Sequence, residues 1–478
     1  MIYIISLLIL LIIIFTINTL MVGGKSSDAV YTPIPAGSEA VERLSQAVRI
    51  PTVSYTDYSK IDLGLHHKFQ EFLTRAFPVF HKTAERTVLD DFGLVYKWQG
   101  SSDEKKPVMF IAHYDVVPAD SSKWTHEPFS GDIDDEFIWG RGTLDTKNTL
   151  MASLEAAETL CNEGFTPERT IYLAFGGDEE VAGDRGAKNI ASWFKAQDIT
   201  LDWLLDEGSI TGDGLISGMI KKLSLIGTAE KGHVDILLKA TASGGGHASM
   251  PPRITTTGRI ARAVARLEAR PFKLRWLSTT RKLFREMAAA GTPALKIALS
   301  NLWITSGLIK VVMGKNPASA ALLRTTTAPT IITGSDKENV LAGEASAVVN
   351  VRILPGETIA GVLRRMEKVV ADNKVTISIL DEEGAGEPVP ESSSNSEGYR
   401  LIKATILENI PDSVVLPFLV TVTTDSCNYT ECCRDIFRYG PVILNQNELD
   451  RIHSVDERIS LDNYGLCIRS YKSLMNKL

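Results

Sequence analysis

The chain predicts an α/β fold: a mixed, mainly parallel sheet domain, interrupted in sequence by an inserted α+β domain. Three observations predict it. Short apolar runs alternate with helical stretches through the first half, which is the pattern of strands joined by crossover helices. The character changes near Gly227, where longer strands and an apolar helical stretch follow. From residue 384 the sequence returns to the style of the first part.

Composition bounds the problem. The 478 residues suit two or three domains at roughly 150 residues each. With 44% hydrophobic and 23% charged residues, core material is ample and wholesale disorder is excluded. Lys+Arg number 51 and Asp+Glu 58, a net charge of −7. A nucleic-acid partner would call for a basic face, so none is expected. Five cysteines are too few for a disulfide scaffold, and their odd count leaves a thiol unpaired.

The elements follow in order. Residues 1–22 are almost uninterrupted in their apolar character, and no charge precedes Lys25. About 20 apolar residues cross a bilayer core as a helix. The segment therefore reads as an N-terminal membrane anchor or a signal peptide, with the body outside the cytoplasm (extracellular, periplasmic or vacuolar lumen); a buried core helix is the alternative. Residues 23–37, with Gly, Ser and Pro, read as a linker. Within 38–226, Val41, Leu44 and Val48 share a helix face before Pro51, and a second helix spans about 63–77. Strands at 108–112, 171–175 and 203–205 alternate with helices at about 148–163 and 186–196. The insert, 227–383, opens with a strand at 233–242 and the Gly-rich run Ser243–Gly246. It continues with a helix at 257–267 and an apolar helical stretch at 270–325 carrying Trp276, Trp303, Leu308 and Val312. Strands at 329–332, 345–353 and 375–380 flank a helix at 359–372, and residues 384–478 complete the first domain.

Chemistry gathers at strand ends. The run 108–112 leads into His113-Tyr114-Asp115, 171–175 into Gly177-Asp178-Glu179-Glu180, and 203–205 into Asp206. Open α/β sheets bind ligands beyond the carboxyl ends of their strands, so these groups are candidates for one crevice. Asp145 follows the turn-rich Gly140-Arg141-Gly142 and precedes a helix. Imidazoles with carboxylates suit zinc, and also cobalt or manganese. Five ligands with one shared would hold two ions, and His453 is the distant candidate for the fifth. Taken singly, each has an ordinary explanation: Asp206 as a helix N-cap, residues 178–180 as a solvated loop, His113 as a surface or core histidine. The set at the ends of successive strands is what carries the reading.

Six motifs then appear in order: His113-Tyr114-Asp115-Val116-Val117-Pro118, Trp139–Lys147, Gly177–Glu180, Leu205-Asp206-Glu207-Gly208, Gly245–Pro252 and Arg451-Ile452-His453. On these the chain resembles the M20 metallopeptidases, and within them the branch of carboxypeptidase S and the secreted N-fatty-acyl amino acid hydrolases. The resemblance implies a zinc exopeptidase-like catalytic domain, with the insert as a lid and dimerisation domain. It implies two zinc ions, one on His113 and Asp206, the other on Glu180 and His453, with Asp145 bridging. Asp115 would orient His113, and Glu179 would be the general base. His247 would reach an active site, often that of a partner subunit, and donate to the oxyanion. Asn339 and Arg352 look like substrate contacts, Arg352 pairing with a free carboxylate.

The implied function is hydrolysis of an amide bond to a C-terminal amino acid in a small peptide; the alternative is an N-fatty-acyl amino acid hydrolase or synthase. A non-catalytic membrane-tethered binding protein fits less well, because Glu179 and the expected ligands are all present; a metal-dependent phosphoesterase, which would also want two ions and carboxylates, fits less well because of the lid motif and the match around Asp145. One departure stands out. Relatives commonly carry Gly-Gly-Thr-Asp-Ser followed by a basic residue and His, where this chain reads Val422-Thr423-Thr424-Asp425-Ser426-Cys427-Asn428. That bears on specificity more than on metal binding.

Overall fold

The apolar runs at 108–112, 171–175 and 203–205 all become strands in the computed structural model, which describes residues 2–21, 29–242 and 244–478. In chain order the first part gives β1 (Glu85–Leu89), β2 (Gly93–Trp98), β3 (Val108–His113), β4 (Phe137–Trp139), β5 (Ile171–Gly176), β6 (Leu201–Asp206), β7 (Thr211–Gly212) and β8 (Leu223–Glu230). The insert gives β9 (Gly232–Thr241), β10 (Gly246–His247), β11 (Thr326–Thr333), β12 (Val340–Leu341), β13 (Glu344–Ile353) and β14 (Val375–Ile379). The last part gives β15 (Val414–Val420), β16 (Cys433–Arg438), β17 (Ile443–Leu444) and β18 (Arg458–Ser460).

The large sheet runs β1-β2-β5-β3-β6-β16-β8-β7-β17, with β15 beside β8. Its centre, β5-β3-β6-β16, is parallel. The flanking pairs β1–β2, β2–β5, β16–β8 and β8–β7 are antiparallel. The insert forms a second sheet, β11-β13-β9-β14, antiparallel throughout, and β10–β12 and β4–β18 are antiparallel pairs. The expectation of a mainly parallel sheet is therefore corrected to a mixed α/β architecture in which antiparallel pairings predominate over the described residues. The physical reason is simple. An apolar run buried on both faces reads the same whichever way its neighbour points, and the short turn between β1 and β2 dictates a hairpin.

β3, β5 and β6 are buried along their whole length. One face of the sheet is covered by the helices Ser38–Val48, Lys147–Asn162 and Leu461–Met475, whose apolar residues form the main core with Phe110, Leu173 and Leu205. The other face is covered by Ala187–Ala196 and the short turn Asp425–Tyr429, around Met109, Ile111 and Leu204. In the insert, β9 and β13 alternate buried and partly exposed residues, as a sheet with one covered face requires. The helices Thr256–Ala269 and Ile359–Val370 cover it, capped by Thr255 and Thr358 hydroxyls that accept from the Gly258 and Gly361 amides.

The apolar stretch after residue 270 is four helices, Ser278–Met287, Pro293–Ser300, Leu302–Met313 and Pro317–Ala321. The first three share a small core of Leu283, Met287 and Leu299 with Leu416 of β15. At the N-terminus, Ile2–Met21 is a helix. Of the expected linker, residues 23–28 lie outside the described residues, and 29–37 form neither helix nor strand. Among the described residues no single helix is long and apolar enough to cross a membrane, although several side chains of Ile2–Met21 fall outside the description. The consecutive helices Pro293–Ser300 and Leu302–Met313, bent by 111°, reach that length and composition together.

Candidate active site

Two groups of metal-ligand type meet at the carboxyl ends of the central strands. One is His113, Asp145 and Glu207; the other is Asp145, Glu180 and His453; the ligand atoms within each group lie within 4.8 Å of one another. Asp145 belongs to both. Its Oδ1 is 3.1 Å from His113 Nε2 and its Oδ2 is 2.9 Å from His453 Nε2. Glu207 Oε1 lies 3.1 Å from His113 Nε2, and Glu180 Oε2 3.1 Å from His453 Nε2.

Each side chain is delivered by its backbone. His113 ends β3, and the Asp115 carboxylate beyond it lies 3.3 Å from His113 Nδ1. Asp115 also accepts from Ser54 Oγ at 2.6 Å and from the amides of Glu179 and Glu180 at 3.1 Å each. One buried carboxylate thus fixes a ligand imidazole and the turn after β5 together. Asp145 is held by Glu457, which is fully buried. The Glu457 carboxylate accepts from the amides of Gly142 (3.0 Å), Leu144 (2.8 Å) and Asp145 (3.1 Å) and pairs with Arg141 Nη1 at 2.7 Å. Its position, four residues beyond His453, ties the two loops into one unit.

Asp206 is not in either group, contrary to expectation. Its Oδ1 accepts from the Glu207 amide at 2.8 Å and its Oδ2 from the Ser426 amide at 3.1 Å. Asp206 is still within β6, paired with Arg438 of β16. Alternate strand residues point to opposite faces; Leu205 packs in one core and Leu204 in the other, and Asp206 takes the side of Leu204. Glu207, the first residue past the strand, carries the carboxylate that reaches His113. The sequence shows both acids side by side, so Glu207 was visible as a neighbour but not as the ligand-type residue. Glu457 was missed as well; its only signal is its closeness to His453.

Glu179 lines the same cavity, with Oε2 3.8 Å from His113 Nε2. The cavity, about 620 Å³, is also lined by Glu180, Glu207, His453 and Arg352. Arg352 reaches it from β13 of the insert, and its Nη1 donates to Thr423 Oγ1 at 2.8 Å, in the segment where the sequence departs from its relatives. His247 and Asn339 do not line it. Both are exposed, and the Ala248 amide donates to the Asn339 carbonyl at 3.0 Å, so they lie together on the insert. The Ser249 amide donates to His247 Nδ1 at 3.1 Å. A second chamber, about 300 Å³, shares Gly208, Ser209, Ile210 and Leu449 with the first; its walls include Leu215, Ile216, Met219, Leu223, Leu225 and Phe418.

The electrostatics test whether cations fit. Burial, reinforced by neighbouring acids, pushes the Glu207 carboxyl up to about 7 and raises Glu179 and Glu180. Hydrogen bonds to Asp145 and Glu180 raise His453 to about 10. Four carboxylates thus converge on two imidazoles in a site that penalises uncompensated negative charge. A mixed oxygen and nitrogen donor set with one shared carboxylate and a net negative balance fits a pair of divalent cations.

The chain is similar to known proteins over most of its length. Residues 109–477 match the model of peptidase family M20/M25/M40. The chain is 38% identical to the probable carboxypeptidase S-like 2 of Dictyostelium discoideum, over 91% of this chain and 84% of that one. It is 35% identical to the N-fatty-acyl-amino acid synthase/hydrolase PM20D1 of Xenopus tropicalis, over 91% and 85%. Among solved structures, the M20 family metallo-carboxypeptidase Sso-CP2 from Sulfolobus solfataricus superposes with a TM-score of 0.65 at 17% identity, covering 92% of this chain and 99% of that one.

Proposed function

The chain belongs to the M20/M25/M40 peptidase family and is a metallohydrolase with two adjoining metal-ligand groups; we propose that it cleaves the amide bond to a C-terminal amino acid in small peptides, with zinc as its metal. The observation that carries the reading is the shared Asp145, between two imidazoles, in a cavity that also holds Glu179 and Arg352. His113, Asp145 and Glu207 would hold one ion, and Asp145, Glu180 and His453 the other. The ions supply Lewis acidity to the scissile carbonyl and to water when bound.

The protein's own groups do the rest. Glu179 binds no cation in this scheme; it takes a proton from the attacking water and passes it to the leaving nitrogen. Its raised pKa, caused first by burial, suits a group that must carry that proton between two partners. Asp115 fixes which nitrogen of His113 faces the cleft, because its carboxylate sits on the Nδ1 side. Arg352, presented from the insert, pairs with the substrate's free carboxylate in place of Thr423. His247 and Asn339, exposed on the insert, serve the site of a partner subunit in a homodimer formed through the lid. The N-terminal helix places the enzyme at a membrane or marks it for export, with the catalytic body outside the cytoplasm.

A second reading is favoured by the apolar chamber beside the cavity. It suits an N-acyl amino acid whose hydrocarbon chain lies along Leu223, Leu225 and Phe418, and the PM20D1 relatives are named for that chemistry. The two readings are separated by incubating metal-loaded protein with dipeptides and N-acyl amino acids of graded chain length, with and without chelator. Release of free amino acid from dipeptides supports the first, and cleavage of acyl substrates alone replaces it with the second. Activity that survives chelation removes both.

A further inference from the structure

We propose that the helix Leu302–Met313 docks its exposed face on a lipid bilayer. Ile304, Leu308, Val311 and Val312 are 60–68% exposed, and Trp303 is 46% exposed. Their spacing puts them on one side of the helix, while Leu302 and Met313 are buried. Scattered apolar residues on a surface are ordinary, but a contiguous stripe marks a contact site.

Three further observations select a bilayer over a protein partner. Between Glu286 and Asp336 there is no acidic residue, and the charges are Lys296, Lys310, Lys315 and Arg324. An apolar stripe among cations with no anion complements hydrocarbon beneath anionic headgroups, where lysine stems lie along the apolar layer and their ammonium groups reach the phosphates. Trp303 adds an amphipathic ring of the kind that settles at that boundary. Next, the uncharged helix Ile2–Met21 ends beside this one. Asn301 Nδ2 donates to Thr19 Oγ1 at 3.0 Å, Asn301 Oδ1 accepts from Asn18 Nδ2 at 3.5 Å, and Trp303 Nε1 donates to the same Oδ1 at 3.2 Å. The two apolar elements therefore lie side by side. Finally, Leu302–Met313 and Pro293–Ser300 are bent by 111° at Asn301. A sharp bend lets one arm lie flat on an interface while the other packs into the protein, and Leu299 is indeed in the small core against Leu416. This surface is separate from the hydrolytic site and does not depend on the reading of that site.

The test uses the full chain reconstituted in vesicles of phosphatidylcholine and phosphatidylglycerol, with and without bromine on the acyl chains. The emission of Trp303 is taken as the difference between wild type and Trp303→Phe. It is expected to be lost in brominated vesicles and retained in unbrominated ones. In the double variant Leu308→Asp, Val311→Asp, the Trp303 emission is expected to return in brominated vesicles and shift to longer wavelength, with hydrolysis of a water-soluble substrate unchanged. Chain that floats with the vesicles while Trp303 stays bright in brominated lipid overturns the proposal, since the N-terminal helix alone would then be the contact. So does failure to float. Trp303 that is shielded from bromine together with crosslinking of Ile304→Cys between chains also overturns it, in favour of a second copy of the protein.

Discussion

The hydrolytic cleft and the helical part of the insert break the usual rule of burial in opposite directions. In the cleft, charge is inside: His113, Asp115 and Asp206 are all at most 1% exposed. In the helix Leu302–Met313, aliphatic side chains are outside. Each arrangement is unfavourable for the isolated chain. Buried carboxylates lose hydration, and exposed aliphatic groups order water. The cleft repairs part of its cost internally, because Asp115 and Asp206 are saturated by backbone amides. The carboxylates of Glu179, Glu180 and Glu207 are not so saturated, and the stripe on the helix has no internal repair. What is left unrepaired in each region marks where something external belongs: cations in one, hydrocarbon in the other.

The comparison can be broken at several points. Stripping metal with a chelator is expected to abolish turnover, with recovery on adding zinc; activity assays before and after re-addition measure it. Glu179→Gln is expected to lower kcat by about 10²–10⁴-fold while leaving metal content, measured by atomic emission, unchanged. Glu457→Ala leaves Arg141 buried without its partner and frees three amides, and should cost about 3–5 kcal/mol of unfolding stability in denaturant titration. Glu457→Gln should cost less, since it keeps the acceptor. Competition with a chromogenic chelator separates the neighbouring acids. Asp206→Asn is expected to weaken metal binding by no more than about 10–100-fold, as for groups outside the ligand set, and Glu207→Gln by more than Asp206→Asn. If the order is reversed, the assignment of Glu207 fails. The smallest effect belongs to the other region: in lipid-free solution Leu308→Ser should shift stability by no more than about 0.5 kcal/mol.

Much of this was legible in the sequence. His113 and Glu180 were legible because apolar runs announce the strands they follow, and neighbouring strand ends share one edge; Asp145 and His453 lie in turns and were marked by their motifs instead. Strand direction was not legible, since Val108–His113 and Gly93–Trp98 are buried alike yet pair with β5 in opposite senses. That Glu207 rather than Asp206 stands beside His113 turns on a single residue at a strand end, a register that depends on the pairing with Arg438 some 230 positions away. The Gly245–Pro252 motif implies a role for His247 without saying in which subunit it is played, and Asn339 lies in no motif.

Glu457 has a consequence for how this protein comes into being. The loop bearing Asp145 takes its hydrogen-bond acceptor from a residue 312 positions later, so that loop can be fixed only after Glu457 has left the ribosome. A polypeptide that stops short of Glu457 leaves the Asp145 loop without its acceptor.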